Sequence, residues 1–418
     1  MARSFNPFDP EQVHDAWPLL AELREESAVV DIGDGMAYVT RHAECRRLLR
    51  DTDGFSSAQG FKAPGVVVPV EDRTLGELDP PTHTLVRRVM VTALTPKVVK
   101  AAESYVAETA KRLLDALPDA GEAELVAGFT VPLPNASTVH LLGFPESDAP
   151  QIMHWAKDLM ESGFPATHRN REGVEGFAEG FPDFAAYIDD RIAERRVRPG
   201  DDVTTKLLEL EVDGERLTPR QLRAMVRNLI TGGLTTTSQL LGNLLFELLT
   251  VAGLEERLRS EPESLTRAIE ESLRLAPPVL FIPRGCTRDT EVDGYALCEG
   301  QRVVIGTGCA NRDEAVFGAN GDDFDVDRPN LNDHLTFGYG PHVCPGAPLA
   351  RSVARVAVAA FLEHFPPGAV RLTDGFVYEN VPTFFETGPE RVTVQIARRP
   401  DNGVQAVWSR GVPGIGAV

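Results

Sequence analysis

The chain has 418 residues, 42% hydrophobic and 25% charged, proportions that suit a folded protein with a sizeable core. Its 62 acidic residues against 42 lysines and arginines give a net charge of −20. No basic surplus exists to neutralise phosphate, which argues against nucleic acid and anionic membranes as general partners. The five cysteines (Cys45, Cys286, Cys298, Cys309, Cys344) form no Cys-x-x-Cys pair, so a zinc site or disulfide framework is not expected.

Met1-Ala2-Arg3-Ser4-Phe5-Asn6-Pro7-Phe8-Asp9-Pro10 contains no signal peptide or anchor helix, and no later run is apolar for long enough to span a bilayer. Residues 29–40 predict a β-hairpin, with Gly33-Asp34-Gly35 as its turn. In Asp79-Pro80-Pro81-Thr82-His83-Thr84-Leu85-Val86-Arg87-Arg88, His83 and Arg87 are four apart and share a helix face. Helical periodicity dominates from about 96 to 275. Within it, Thr218 suits an N-cap, Pro219 the first helical position and Gln221 a capping box. The apolar pattern then continues to about Thr250, a rod of roughly 48 Å at about 1.5 Å per residue. Its centre reads Ile230-Thr231-Gly232-Gly233-Leu234-Thr235-Thr236-Thr237-Ser238. Two helical glycines cost about 1 kcal/mol each, so something must approach the backbone closely, whether a neighbouring helix or a ligand. The hydroxyls after them can bond back to carbonyls.

Glu271 and Arg274 are three apart on the next helical pattern and can pair. Short strands are expected around 284–306, with turns at Asp293-Gly294 and Glu299-Gly300, and again at 391–396, where Val392, Val394 and Ile396 alternate with polar residues. No repeat or linker divides the chain. The tail from about Arg399 is rich in Gly and polar residues and reads as mobile.

The densest signal is Phe337-Gly338-Tyr339-Gly340-Pro341-His342-Val343-Cys344-Pro345-Gly346-Ala347-Pro348-Leu349-Ala350-Arg351. Its first half is too rich in Gly and Pro for regular structure, and an apolar helix runs from about Gly346 to about Phe365. A sulfur in a tight turn before a helix N-terminus gains from free N–H groups and the helix dipole, which favour the thiolate that iron prefers. A lone cysteine is ordinarily a buried structural thiol. Eight fixed neighbours reverse that.

This run resembles the heme-binding signature of the cytochrome P-450 superfamily, Phe-Gly-x-Gly-x-His-x-Cys-x-Gly-x-x-Leu-Ala-Arg, at every specified position. The resemblance extends over residues 5–398. It implies a mainly α fold with small β-sheets, a long central oxygen-binding helix and a heme-thiolate loop. One catalytic domain over 1–398 and a tail at 399–418 follow. The implied cofactor is heme b (iron protoporphyrin IX), with Cys344 as metal ligand and Phe337, Gly346 and Gly233 beside the ring. His83, Arg87, Arg284 and His342 match the family's propionate contacts. Arg328, in Phe324-Asp325-Val326-Asp327-Arg328-Pro329, matches the arginine completing a buried cluster with Glu271 and Arg274. Ala310-Asn311-Arg312-Asp313 matches a structural turn.

Gly232 to Thr236 align with the family's oxygen-binding pattern, small-Gly-x-acid-Thr, which makes Thr236 the conserved alcohol. The acid position is Thr235, and no Asp or Glu occurs between Pro219 and Phe246. Since the family's acid-alcohol pair relays protons, Thr235, Thr236 and ordered water carry this role here, or an acid from another element does.

The resemblance further implies a cytoplasmic monooxygenase acting on a hydrophobic small molecule such as a terpenoid, fatty acid, aromatic or polyketide. Residues 55–77, including Val67, would roof its pocket. Leu229, Leu234, Val279, Phe281 and Phe384 fall where pocket walls arise, although apolar residues are more often plain core. O2 and electrons from a separate ferredoxin-type partner with an NAD(P)H-dependent reductase would complete turnover. Lys97, Lys100, Arg351 and Arg355 are candidates for a basic docking patch. A peroxide-driven or atypical oxidation, or a non-catalytic heme sensor, are the alternatives.

Overall fold

One helix of 32 residues, Pro219–Thr250, crosses the molecule and organises it. Its start follows the capping prediction: Gln221 N donates to Thr218 Oγ1 at 3.3 Å, and Thr218 N to Gln221 Oε1 at 2.9 Å. It ends at Val251, before Gly253 takes a left-handed φ of 75°. The computed structural model describes residues 5–397 apart from 8, 14, 62–67, 164–175, 212–213 and 384–385.

The long helix serves two cores in succession. Ile230 and Leu234 of its first half pack with Met90, Val139, Ile152 and Phe184. Leu240, Leu241, Leu244 and Leu245 of its second half pack with Val106, Leu133, Ala354 and Val358. Each fully buried leucine contributes about 1.5–3 kcal/mol, so the helix is held by its sides rather than by propensity. Around it lie the helices Thr82–Ala93, Pro96–Asp115, Pro132–Leu141, Ser264–Leu275 and Ala347–His364.

The sheets are small and peripheral. Strands β1 (Val29–Gly33) and β2 (Met36–Val39) form the expected hairpin, turned through Asp34 at φ 50° and Gly35 at φ 69°. They join β3 (Phe55–Ser56), β5 (Ile282–Cys286) and β8 (Arg302–Ile305) in the order β1-β2-β8-β5-β3, with only β2 and β8 parallel. Strands β6 (Thr290–Val292) and β7 (Tyr295–Leu297) make a separate hairpin across Asp293-Gly294. The third sheet, β4-β10-β9, corrects the sequence reading. β4 (Gly121–Glu124) interrupts the region expected to be helical and pairs with β10 (Thr393–Ile396), which also pairs with β9 (Val370–Leu372). β10 is the strand expected at 391–396, whereas β4 reads Gly-Glu-Ala-Glu, with Ala123 its one apolar residue and so no period-2 pattern to see. The expected tail at 399–418 and the boundary at 398 lie outside the described residues.

Glu271, Arg274 and Arg328 come together in the interior, each no more than 2% exposed. Arg274 Nε donates to Glu271 Oε2 at 2.7 Å and its Nη2 to Oε1 at 2.8 Å, and Arg328 Nε reaches Oε1 at 3.1 Å. Arg274 Nη1 also donates to the carbonyls of Asn311 and Gly321. Asn311, fully buried, accepts from Leu335 N at 2.6 Å and donates to Thr336 Oγ1 at 2.9 Å. The cluster therefore ties the Ser264–Leu275 helix to the chain just before the cysteine loop.

Candidate functional site

The loop around Cys344 closes on itself before the next helix begins. Gly338 N donates to Leu335 O and Cys344 N to Phe337 O, both at 2.8 Å. Gly338 and Gly340 both take φ 73°. At Gly340 a Cβ would also lie 3.0 Å from Arg50 Cα, so glycine is required twice over. A second ionic knot, unread in the sequence, braces the far side. Arg351 donates to Glu270 through Nε and Nη2, both at 2.7 Å, and His334 Nε2 lies 3.1 Å from Glu270 Oε2. The Arg351 guanidinium covers the Phe337 ring at 4.5 Å.

The backbone N–H groups of Gly346 and Ala347 bond to the Cys344 sulfur and lower its pKa, as a helix start should. Burial outweighs them and leaves the thiol above its ordinary value, while the N–H groups act in the direction expected of the turn. Protein surrounds Cys344, yet its side chain opens onto a cavity.

That cavity is where the predicted residues meet. Phe337, His342, Cys344 and Gly346 line it from the loop, and Leu229, Gly232, Gly233 and Thr236 from the long helix. Leu75, Met90, Leu94, Leu141 and Leu349 make much of the rest apolar. The two glycines have different reasons to be there. A Cβ on Gly233 would sit 2.9 Å from Thr138 Oγ1 on the Pro132–Leu141 helix, a close helix crossing. A Cβ on Gly232 would meet nothing nearer than 3.8 Å, so its bareness widens the cavity. Both readings of the glycine pair are thus correct, one for each residue.

The hydroxyls also divide. Thr236 Oγ1 donates to Gly232 O and Ser238 Oγ to Leu234 O, both at 2.7 Å, without breaking the helix. Thr235 turns elsewhere and donates to Glu386 Oε1. Glu386 is buried and forms an isolated antiparallel bridge with Val279. Sequence reasoning did not single it out. The only signals were the missing acid in the long helix and one carboxylate within Phe384-Phe385-Glu386-Thr387-Gly388.

On the cavity's rim, the rings of His83 and His342 lie 3.9 Å apart between centroids. Ser57 Oγ is 3.2 Å from His342 Nε2. Burial and nearby arginines hold His342 down at about 2 and His83 at about 4, so both imidazoles are neutral. Burial likewise lowers Arg284 to about 10. His83 Nε2 and Arg87 Nη1 are buried with no hydrogen-bond partner in the protein. The unsatisfied Arg87 Nη1 donor requires an acceptor, and a carboxylate-bearing group such as a heme propionate fits it, with His83 Nε2 a second donor in its Nε2–H tautomer.

The predicted pocket wall is met in part. Leu229 lines the cavity. Leu234 and Phe281 lie in the hydrophobic cores, because Leu234 occupies the opposite helix face from Gly232 and Thr236, and Phe281 packs with Phe5, Leu20 and Tyr38. Val67 and Phe384 lie outside the described residues. The expected basic patch is partly neutralised from within, since Lys100 and Arg355 both bond to Glu103 and Arg351 to Glu270. No single helix among the described residues is long and apolar enough to cross a membrane.

Residues 32–369 match the family model described as Cytochrome P450. The chain is 31% identical to the putative cytochrome P450 YjiB of Bacillus subtilis, over 86% of this chain and 90% of that protein. It is likewise 31% identical to a steroid C26-monooxygenase of Mycobacterium tuberculosis, over 90% of this chain and all of the relative. Among solved structures, a mutant of P450 EryK in complex with erythromycin B superposes with a TM-score of 0.83 at 29% identity, covering 94% of this chain and 99% of that one. A cysteine loop and a glycine-threonine helix sharing one cavity, in a fold matched along nearly its whole length, place this chain in the cytochrome P450 family, as a bacterial-type monooxygenase whose cofactor is heme b.

Proposed function

We propose that the chain inserts one oxygen atom of O2 into a hydrophobic small molecule, with Cys344 as the residue whose thiolate would hold the heme iron. The observation that carries this reading is that Cys344 and Gly232, Gly233 and Thr236 of the long helix open onto the same apolar cavity. Heme b, when bound, supplies the oxygen-activating and oxidising chemistry. His83, Arg87, Arg284 and His342 would hold its carboxylates, using Arg87 Nη1 and His83 Nε2, which no protein group satisfies. Phe337, Gly346 and Gly233 would flank it. Bare Gly232 widens the cavity, and Thr236 lines it with a hydroxyl-bearing side chain.

Leu229 and the apolar lining exclude water and select an apolar substrate. The steroid named for one relative and the macrolide bound to one structural neighbour suggest its size class. Electrons come from a separate ferredoxin-type protein with an NAD(P)H-dependent reductase. Exposed Lys97 remains available on that face for docking. Residues 1–398 act as one catalytic unit in the cytoplasm.

Carbon-monoxide difference spectra of the reduced protein test the core of this reading. Wild type should give the red-displaced band of thiolate ligation and Cys344→His should lose it; a wild type without that band refutes the assignment. Titrating the ferric protein with a steroid and with erythromycin B should give a spin-state shift for at least one.

A further inference from the structure

The long helix lacks a carboxylate where its relatives carry one, and the C-terminal segment is built to bring one there. Gly242 and Gly388 allow the contact. A Cβ on Gly242 would lie 2.9 Å from Pro389 Cγ, and one on Gly388 would collide with the Gln239 side chain. Asn243 Nδ2 donates to Ala276 O at 2.8 Å and to Thr387 O at 3.4 Å, and Thr387 Oγ1 donates to Pro277 O at 2.6 Å. The segment is thereby locked both to the helix and to the irregular chain at Pro277 to Val279. Its one buried carboxyl, Glu386, meets the Thr235 hydroxyl, and the next residue along the helix lines the cavity.

We propose that Glu386 replaces the missing acid of the oxygen-binding helix, delivering protons to the cavity through Thr235. This rests on Thr236 facing the oxygen-activating site. With Glu386 protonated, the Thr235 hydroxyl turns from donor to acceptor toward it: Glu386 Oε passes its proton to Thr235 Oγ1 as the Thr235 hydroxyl proton leaves to a water entering the cavity that Thr236 lines. The carboxylate left behind is reprotonated from solvent, which reaches the segment at exposed Pro382. No redox change occurs at the carboxyl.

The environment suits a donor. Burial raises Glu386 to about 7, and only the Thr235 hydrogen bond opposes it. Thr235 faces it from the long helix and the Val279 backbone from the paired strand, so no charged side chain biases it in either direction. A group poised near neutrality both releases and regains a proton readily. Glu386 acts through Thr235 and is a positioning residue of the relay, not a ligand of the cofactor.

The test uses the ferric holoenzyme and two readouts. First, the infrared difference between wild type and Glu386→Gln should contain the carbonyl stretch of a neutral carboxyl that vanishes near neutral pH. Second, the ratio of peroxide released to water or product formed is measured with NADPH, a surrogate ferredoxin and its reductase. Glu386→Gln and Thr235→Val should each raise that ratio, on the order of 10²-fold for loss of a positioned proton donor. Glu386→Asp should restore part of the loss. In wild type the ratio should climb as pH passes neutrality, and in Glu386→Gln that pH dependence should flatten. A ratio and pH profile unchanged in both variants, with the thiolate band intact, overturns the relay alone. Loss of the thiolate band from wild type overturns the heme-thiolate reading and the relay with it.

Discussion

Two buried glutamates in this molecule live in opposite surroundings. Glu271 is 0% exposed and receives four hydrogen bonds, from Arg274 Nε and Nη2, Arg328 Nε and Asp325 N. Glu386 is 6% exposed, has no cation beside it and meets one hydroxyl. Burial is similar and partners decide the outcome. A carboxylate ringed by guanidinium donors is a rigid strut, whereas one left with a single hydroxyl is free to change protonation. The first ties the chain entering the cysteine loop, and the second borders the oxygen-binding helix.

The largest expected effect comes from removing a cation from the strut. Arg274→Ala takes two of the four hydrogen bonds from buried Glu271 and abandons the carbonyls of Asn311 and Gly321. Loss of one partner from a buried pair costs about 3–5 kcal/mol, a large share of the stability of an ordinary domain. Denaturant unfolding should show that drop, with poor heme retention because the Cys344 loop hangs from Asn311. Arg274→Lys should recover little, since one ammonium cannot replace the planar fork.

The pH dependence of stability comes next, and its sign follows from the raised carboxyls. Glu386 sits at about 7 and Glu247, also buried, at about 8, both raised first by burial. Unfolded, each carboxyl returns to the ordinary range near pH 4. Between there and neutrality the folded state therefore holds protons that the unfolded state has released, so stability falls as pH rises. Below the unfolded value the difference vanishes. Glu386→Gln should remove its share, roughly 3 kcal/mol, making the variant less sensitive to pH between about 5 and 8. Thermal melts across that range check it. An unchanged slope would place Glu386 in contact with solvent.

How much of this was readable from the residues follows the same division. Cys344, Phe337 and His342 lie within one contiguous run whose spacing is set by local backbone demands, and Gly340 shows why. Thr236 and Gly233 were found through the family's oxygen-binding pattern, and helical spacing explains why both line one cavity. Arg328 was found only through the family pattern, because its partner in the cluster, Glu271, lies 57 residues away in sequence. Glu386 lies 151 residues from Thr235, and its contact depends on a loop docking against a helix. No local pattern encodes that. Leu234 and Phe281 were misjudged because apolar character alone does not distinguish a pocket wall from a core. β4 was hidden because Gly-Glu-Ala-Glu offers a single apolar residue and no alternation.

The docking itself can be loosened by one methyl group. Gly242→Ala gains helix propensity, about 1 kcal/mol. It also forces a contact of 2.9 Å on Pro389, and overpacking of this kind costs about 1–3 kcal/mol. The net change should be a loss of about 1 kcal/mol, together with a shift in the titration of Glu386 as the segment lifts from Thr235. A variant that gained stability and kept that titration would mean that Pro389 yields without moving its neighbours.

The smallest effect concerns a pair matched to the buried one in distance and sequence spacing but exposed and single-bonded. Arg371 Nη1 lies 2.7 Å from Asp374 Oδ1, three residues apart, the same separation and spacing as Arg274 Nε and Glu271 Oε2. Its side chains are 60% and 92% exposed, against 0% and 0%. In water the Coulomb attraction is screened, and ordering two mobile side chains offsets what remains. Arg371→Ala should therefore change stability by less than about 1 kcal/mol, and added salt should erase even that. A loss close to that of Arg274→Ala would mean that distance, rather than desolvation and the number of partners, sets the strength of ion pairs in this fold. The contrast between Glu271 and Glu386 would then lose its physical basis, because it assumes that partners matter most where water is excluded.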